Sequence, residues 1–458
     1  MSVLLALLLE LWWFLSRSGD QGMAEEIEER PFGFWTATAL VIGGVIGAGI
    51  FVLPSQMAVL GWTGVWAWLI GGVGAIMIAR VLSAITAARP EEPGLLAVIG
   101  ETLGPVLGVL CGWGAWVSYW CANAYIALTS ARYASELWPP IAASPFRIAL
   151  AASLLIVALT CLGLAGFKTS GRFQVITVAL KLIPLVAIMG IVAVLLMEGG
   201  DAFRQEVHAP FAAASLFTAT TLAFVAITGF ETASIAAQRV RDPERNVPRA
   251  TMTGVLVSCL IFAVVCSGVV FGLPVATVTA SNAPIALFIG TYWGGWAGHA
   301  VAVFAVISTV GGLAVWIMLQ GEVPLTLARA GLLPAWLART SKRDIAVVPM
   351  VLASALTIAL LLIGGWNNGA GLMDFMLTLT AASGVLIYAF ACLAALRIGV
   401  QRPTALIGLL FTLAILYGAG IQAVALSVAL MLAALPLYWL ARRASLTTAE
   451  SSAATAGR

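Results

Sequence analysis

Four glycines lie within seven residues of the first long apolar segment, at Gly43, Gly44, Gly47 and Gly49. Glycine destabilises a helix interior and lets the backbone leave helical geometry. Inside a membrane, an unwound backbone is tolerated where it is buried in protein or lines a cavity. A break here would free amide N–H groups at the start of the outer half-helix, and these groups together with the helix dipole suit a carboxylate. Close helix–helix packing through small residues is the alternative interpretation.

The sixth apolar segment holds a counterpart, with Gly229 and Glu231 near its middle. A carboxylate at that depth costs several kcal/mol unless it is paired or hydrated, so Glu231 is a candidate gate or proton carrier. Carbonyl groups freed by a break around Ala226–Thr228 could accept hydrogen bonds from a substrate ammonium. The alternative for Glu231 is a structural carboxylate that satisfies the N–H groups of a broken helix.

Two further polar side chains lie deep in apolar segments. Lys181 stands between Leu180 and Leu182 in the fifth segment. Burial disfavours the charged form of a lysine, which makes Lys181 a candidate for proton coupling. A fixed positive charge that holds carbonyl groups of the first segment is its alternative role. Asn123, in the third segment, either binds substrate or joins two helices.

Composition places these residues in a membrane. The chain has 458 residues, is 61% hydrophobic and only 9% charged, and has a mean hydropathy of +1.04. Soluble domains carry about 25% charged residues. The apolar blocks predict about twelve membrane-spanning helices of roughly 20 residues each. The stretch 283–293 is too short to span and is expected to lie at the interface. A net charge of +3 is too small to indicate nucleic acid.

The basic residues cluster in alternate loops, which by the positive-inside rule predicts cytoplasmic N- and C-termini in the inner membrane. The loops assigned to the cytoplasm hold Arg89, Lys168, Arg172, Arg239, Arg241, Arg245, Arg249, Arg329, Arg339, Lys342, Arg343, Arg397, Arg402, Arg442 and Arg443. We expect residues 1–30 to be a leader that is disordered or precedes the true start, with Met23 as a candidate start. Residues 31–442 are expected to form one transmembrane domain, and 443–458 a disordered tail.

Three segments carry a specific likeness: residues 47–54, residues 229–234, and the Pro/Arg-rich inner loop at 241–250. Together they resemble the amino acid–polyamine–organocation transporters, especially the bacterial basic amino acid/polyamine antiporters. The resemblance extends from about residue 31 to residue 442. It implies an all-α membrane fold of two inverted five-helix repeats, with broken helices one and six, plus two extra helices.

The resemblance also implies a substrate site. Backbone groups at Val45, Ile46, Gly47, Ala48 and Gly49 would bind a substrate carboxylate, and those at Ala226, Ile227, Thr228 and Gly229 its amine. Glu231 matches the glutamate that the family has beside its site, and Asn123 aligns with a substrate-contacting asparagine of the family's arginine/agmatine exchanger.

Departures from that exchanger bear on the substrate. The exchanger resembles this chain but has tryptophans at the positions that align with Leu313 and Val225. Both aromatic rings are missing here, which puts arginine as the substrate in doubt. Proton-coupled members of the superfamily carry a lysine at the position of Lys181, in place of a sodium ion. The resemblance therefore favours proton coupling over sodium dependence.

The sequence as a whole predicts a secondary active transporter of amino acids or related amines that works by alternating access, as an antiporter or a proton symporter. An amino acid exporter is the nearest alternative, and a polytopic membrane enzyme is the alternative from another class. Such an enzyme would show clustered Asp, His or Cys residues near one face, and no such cluster, CxxC pair or GxxxxGK[ST] motif is seen. We expect no catalytic residues, metal or cofactor; the expected partners are the substrate, protons, the bilayer and, by analogy alone, a second copy.

Overall fold

The structure, a computed structural model, describes residues 33–88, 95–165, 171–204, 208–230, 240–341, 345–366 and 372–443. Over these residues it contains helices and no strand, apart from an isolated bridge between Thr340 and Ala346. The helices are α1 (Phe34–Val45), α2 (Gly49–Met57), α3 (Trp62–Ala88), α4 (Leu95–Leu103), α5 (Pro105–Leu137), α6 (Pro145–Leu164), α7 (Gly171–Met197), α8 (Ala213–Ile227), α9 (Pro243–Gly272), α10 (Val275–Ala280), α11 (Pro284–Trp293), α12 (Gly295–Arg329), α13 (Val347–Trp366), α14 (Leu372–Ile398), α15 (Arg402–Ala419) and α16 (Ile421–Leu432).

Membrane-length helices dominate the described part of the chain. Nine of them are long and apolar enough to cross a bilayer, and α1 with α2 forms a tenth candidate that bends by 42° at its break. The apolar helices α8 and α11 are shorter, so the stretch 283–293 is indeed too short to span. The all-α membrane fold is confirmed, while the count of twelve spans stays a prediction.

Helix α5 is the central element of the bundle. It has 33 residues and packs against α6, α12, α13 and α14. Most of its side chains are buried, including the polar Asn123, Thr129 and Ser130. Because α5 faces protein on most sides, it can carry more polar and aromatic residues than a helix that faces lipid.

The helix contacts follow the pattern that two repeats predict. In two repeats, the segment from α1 to α7 corresponds to the segment from α8 to α14, so that α3 corresponds to α9, α5 to α12, α6 to α13 and α7 to α14. The contact of α3 with α8 then has its counterpart in the contact of α9 with α1 and α2. The contacts of α5 with α14 and with α13 have theirs in the contacts of α12 with α7 and with α6. An odd number of spans in each repeat inverts the second repeat relative to the first.

One expectation about local structure was wrong. The segment 241–250 was predicted to be a loop, but the chain is helical from Pro243 onward. Proline at the first helical position has its φ preset and needs no N–H partner there. Asp242 precedes it in the left-handed region, at φ 46°, and starts the helix without a side-chain cap.

Candidate functional site

The first candidate span is broken where its glycines predict. Helix α1 ends at Val45 and α2 begins at Gly49. Between them, the Gly47 N–H donates to the Val45 carbonyl at 2.8 Å, with Ile46 at φ −75° and ψ 79°. This is an inverse γ-turn, which interrupts the helical hydrogen bonding at the 42° bend between α1 and α2. The first N–H groups of α2 therefore have no acceptor within their own helix.

Open space lies beside this break. A Cβ atom built on Gly47 would meet no atom within 4 Å. Gly47 and Gly49 are half-buried, whereas Ile46 and Ile50 on either side of them are fully buried. The start of α2 thus presents its N–H groups and positive dipole end to a space beside glycines, which is the arrangement that an anion needs.

Lys181, on α7, contacts the break from the side of α1. Its ammonium donates to the carbonyl oxygen of Gly43 at 2.8 Å and to that of Ile46 at 2.7 Å. These carbonyls lie at the end of α1, where the last acceptors have no helical donor and the dipole is negative. The geometry is that of a positive charge holding carbonyls of the first span, the alternative role that the sequence analysis describes.

The second break is the end of α8. Helix α8 stops at Ile227, and the N–H and hydroxyl groups of Thr228 both donate to the Val225 carbonyl, at 3.2 and 2.6 Å. Gly229 then adopts a positive φ of 106°, a region that favours glycine. The carbonyls of the last turn of α8 have no N–H donor within the helix.

The two breaks touch each other. A Cβ atom on Gly229 would lie 2.6 Å from the Gly44 carbonyl oxygen, and one on Gly49 would lie 3.3 Å from the Ala226 Cβ. The N-terminal end of α2 and the C-terminal end of α8 therefore lie side by side. A molecule with a carboxylate and a neighbouring amine would find donors at one end and acceptors at the other.

Asn123 belongs to a chain of buried hydrogen bonds that crosses four helices. Its Nδ2 donates to Gln320 Oε1 on α12 at 2.7 Å, and Gln320 Nε2 donates to Ser354 Oγ on α13 at 2.9 Å. Ser354 Oγ lies 2.8 Å from Thr160 Oγ1 on α6. The amide of Asn123 thus joins helices, and its orientation depends on Gln320.

One face of α5 keeps unpaired polar atoms. Asn123 Oδ1 and the indole N–H groups of Trp116 and Trp120 are buried and have no partner among the described residues. They recur at helical spacing, so they share a face. A buried polar group without a partner costs about 1–3 kcal/mol, and a ligand or water that bonds to it removes that cost.

Gln320, Ser354 and Thr160 are not among the residues that the sequence predicts for the site. Gln320 follows three apolar residues in the interior of a long apolar segment, the same signal that singled out Asn123. Leu313 lies on the same face of α12, two turns before Gln320, and is fully buried. Glu231 lies outside the described residues, so its predicted place beside the site has no structural description.

On the other side of α2, a tyrosine ties the half-helix to its neighbours. Tyr133 Oη donates to the Phe51 carbonyl at 2.7 Å and accepts from the Ile285 N–H at 3.3 Å. All three residues are fully buried. The hydrogen bonds therefore join α2 to α5 and α11.

No group of three or more His, Cys, Asp or Glu side chains that could hold a metal is present over the described ranges. The free cysteines are mostly buried in the apolar interior.

Fold and site together define a class: a polytopic α-helical membrane transporter in which the start of α2, after the break in the first span, lies beside the end of α8. The family model that describes amino acid permeases matches residues 32–451. The chain therefore belongs to the amino acid permease family, and it is a secondary transporter of amino acids or related amines rather than an enzyme.

Curated relatives agree with this assignment. The chain is 27% identical over 349 residues to a cadaverine/lysine antiporter of Escherichia coli strain K12, covering 75% of this chain and 77% of the relative. It is 29% identical over 347 residues to an arginine/ornithine antiporter of Latilactobacillus sakei, covering 73% and 72%. A putrescine transporter of Haemophilus influenzae is 26% identical over 411 residues, covering 86% and 93%.

Proposed function

We propose that the chain exchanges one amino acid or amine for another across the inner membrane, with both termini in the cytoplasm. The observation that carries the proposal is the contact between the two breaks, where Gly229 packs against Gly44 and Gly49 packs against Ala226. The relatives add the transport mode, because two of them are named antiporters of an amino acid and its amine or amino acid counterpart.

In this proposal the substrate carboxylate binds the N–H groups at Val45–Gly49, and its amine binds the carbonyls at Ala226–Gly229. Asn123 offers its free Oδ1 as a further acceptor, held in place by Gln320. Leu313 supplies an apolar wall where the family's exchanger has an aromatic ring. An apolar wall offers a guanidinium no cation–π contact, which favours a substrate side chain smaller or more apolar than that of arginine.

Proton symport is a second candidate mode, and Lys181 is the observation that favours it. Its ammonium bonds to both carbonyls at the end of α1. Loss of its proton would remove the positive charge from both hydrogen bonds and so weaken the attachment of α1. Glu231 is the second candidate carrier. A homodimer is a further expectation, which the mass of the purified protein in detergent would test.

Uptake into proteoliposomes tests the mode of transport. A panel of common amino acids, agmatine, putrescine and cadaverine would be offered with and without internal substrate, and with and without an inward proton gradient. Exchange predicts uptake only against internal substrate. Uptake driven by the proton gradient alone, and lost in Lys181→Ala, would replace exchange with symport. If no compound moves while the protein remains folded, the proposed substrate class is wrong.

A further inference from the structure

A pocket on the outside of the bundle lies away from the two breaks. It is a cavity of about 510 Å³ among the start of α1, the end of α3, the start of α9 and the residue before α15. All four are the ends that the positive-inside rule assigns to the cytoplasm. The lining residues are Phe34, Arg80, Ser83, Ala84, Ala87, Pro248, Arg249, Met252, Thr253 and Gln401.

Two guanidinium groups face this pocket, those of Arg80 and Arg249. Both residues are exposed, and among the described residues that line the pocket there is no carboxylate. Arg249 lies over the Phe34 ring at 5.6 Å. Among the described residues, neither guanidinium forms a hydrogen bond or an ion pair.

The depth of Arg80 makes its lack of a partner costly. It lies within the candidate span Trp62–Ile85, five residues before its end. Five residues of helix correspond to about 8 Å. An arginine inside a span extends its side chain toward the headgroup region or pairs with a charge at that depth. At the surface of a membrane protein, the phosphate of a lipid can supply such a negative charge.

A buried hydroxyl points to the same kind of ligand. Ser83 is 5% exposed and lines the pocket, and its Oγ has no hydrogen-bond partner over the described residues. Thr253 and Gln401 add further donors at the rim. Apart from these polar groups the walls are apolar, formed by Phe34, Ala84, Ala87, Pro248 and Met252.

We propose that this pocket is a binding site for one anionic phospholipid of the cytoplasmic leaflet. Its phosphate pairs with Arg80 and Arg249 and accepts a hydrogen bond from Ser83, while its first acyl carbons lie against the apolar walls. Basic pockets between helices on the cytoplasmic side are the usual sites for anionic headgroups. The apolar walls distinguish this site from one for a free anion. The proposal does not depend on which substrate is transported or how.

The pocket also touches the start of the first half-helix. Phe34 begins α1, and the other end of α1 is the one that Lys181 holds. A lipid bound at Phe34 and Arg249 would therefore tie α1 to α3 and α9 at the cytoplasmic end. Bound lipid would then favour the position of α1 seen here.

Native mass spectrometry of the purified full-length protein tests the site, with phosphatidylglycerol and phosphatidylethanolamine as probes. The wild type is expected to retain one phosphatidylglycerol. The double variant Arg80→Gln/Arg249→Gln is expected to bind it about thirtyfold more weakly, which corresponds to the loss of two basic contacts of ordinary size. The matched control is Arg339→Gln/Arg397→Gln, which removes two exposed basic charges at the same end but outside the pocket. It should bind like the wild type.

A second variant separates pocket occupancy from charge. Ala87 is exposed and lines the pocket, so Ala87→Trp fills it without changing a charge or a core contact. We expect Ala87→Trp to weaken phosphatidylglycerol binding at least fivefold with unchanged thermal stability. Equal retention of phosphatidylethanolamine would overturn the proposal, as would equal losses in the control variant. Displacement of the lipid by excess inorganic phosphate would assign the site to a free anion instead.

Discussion

Gly229 occupies a position where both backbone conformation and space exclude a side chain. Its φ is 106°, and a Cβ atom would lie 2.6 Å from the Gly44 carbonyl oxygen. The substitution Gly229→Ala is expected to push the two breaks apart and to store about 1–3 kcal/mol of strain. We predict a fall in transport rate of at least about tenfold, measured as counterflow in proteoliposomes. Gly190→Ala, in α7 with no atom within 4 Å of the new Cβ, should transport at the wild-type rate.

Gln320 tests whether Asn123 acts through its orientation. Gln320→Leu removes the acceptor of Asn123 Nδ2 and the donor to Ser354 Oγ. The Asn123 amide is then free to turn, and we predict substrate affinity about tenfold weaker, which corresponds to one lost hydrogen bond. Combined with Asn123→Ala, the second substitution should add little, because the two residues act as a unit.

The matched control for Gln320 is another buried pair that joins two helices. Ser383 Oγ donates to Ser427 Oγ at 2.9 Å between α14 and α16. Ser427→Ala should lower thermal stability without changing substrate affinity. An equal loss of affinity in Gln320→Leu and Ser427→Ala would reduce Gln320 to a structural role.

Among the elements, the half-helix α2 depends on Tyr133 for its attachment. Pro54 lies inside α2 and has no N–H to give the Ile50 carbonyl, so the half-helix has fewer internal bonds than its length suggests. The Tyr133 hydroxyl instead bonds to the Phe51 carbonyl and to the Ile285 N–H. The Tyr133 hydroxyl thus adds two hydrogen bonds to the packing that holds α2 against its neighbours.

Tyr133→Phe is predicted to release α2 without leaving a gap, because it removes only the oxygen. A cysteine at Ser55→Cys, where the native side chain is 8% exposed, should then react several times faster with a water-soluble thiol reagent. The native cysteines of the parent protein give the background. Tyr292→Phe removes a similar bond, to the Gly272 carbonyl at 2.7 Å, and should leave the labelling rate unchanged. Equal acceleration in both variants would show general loosening instead.

For the whole molecule, orientation is the prediction that the basic loops make. Ala143, between α5 and α6, and Gln401, before α15, lie at opposite ends of the bundle. In a Cys161→Ser background, a membrane-impermeant thiol reagent added to intact spheroplasts should label Ala143→Cys. It should label Gln401→Cys only after permeabilisation. If Gln401→Cys were labelled in intact spheroplasts and Ala143→Cys only after permeabilisation, the orientation would be opposite to the predicted one.

The sequence predicts much of the fold because its strongest signals are local. Apolar length gives the spans, and clustered glycines give the break at 46–48. The same reasoning places a break after Ile227, where α8 ends before Thr228 and Gly229. The same reasoning failed at 241–250. Two prolines in this segment favour a loop, but Pro243 starts a helix and Pro248 lies within it.

The site was predictable only in part, because its contacts join residues far apart in the chain. Nothing in the sequence around Gln320 indicates that its side chain forms a hydrogen bond with Asn123, 197 positions earlier. The Lys181 ammonium reaches carbonyls 138 and 135 positions away, which its burial alone cannot reveal. Such pairings depend on helix packing, and packing is what a single sequence specifies least directly.

The most direct test of a substrate site at the breaks uses the open space at Gly47. A Cβ atom there meets no atom within 4 Å, so we expect Gly47→Leu to fold normally while its side chain extends into the space that a substrate needs. Binding of the radiolabelled substrate found in the uptake panel would be measured by scintillation proximity, with thermal stability followed in parallel. The matched control is Gly190→Leu, whose new side chain also meets open space, far from the breaks. We predict unchanged stability in both variants and binding lost in Gly47→Leu alone. Wild-type binding by a folded Gly47→Leu protein would contradict a substrate site between the two broken helices.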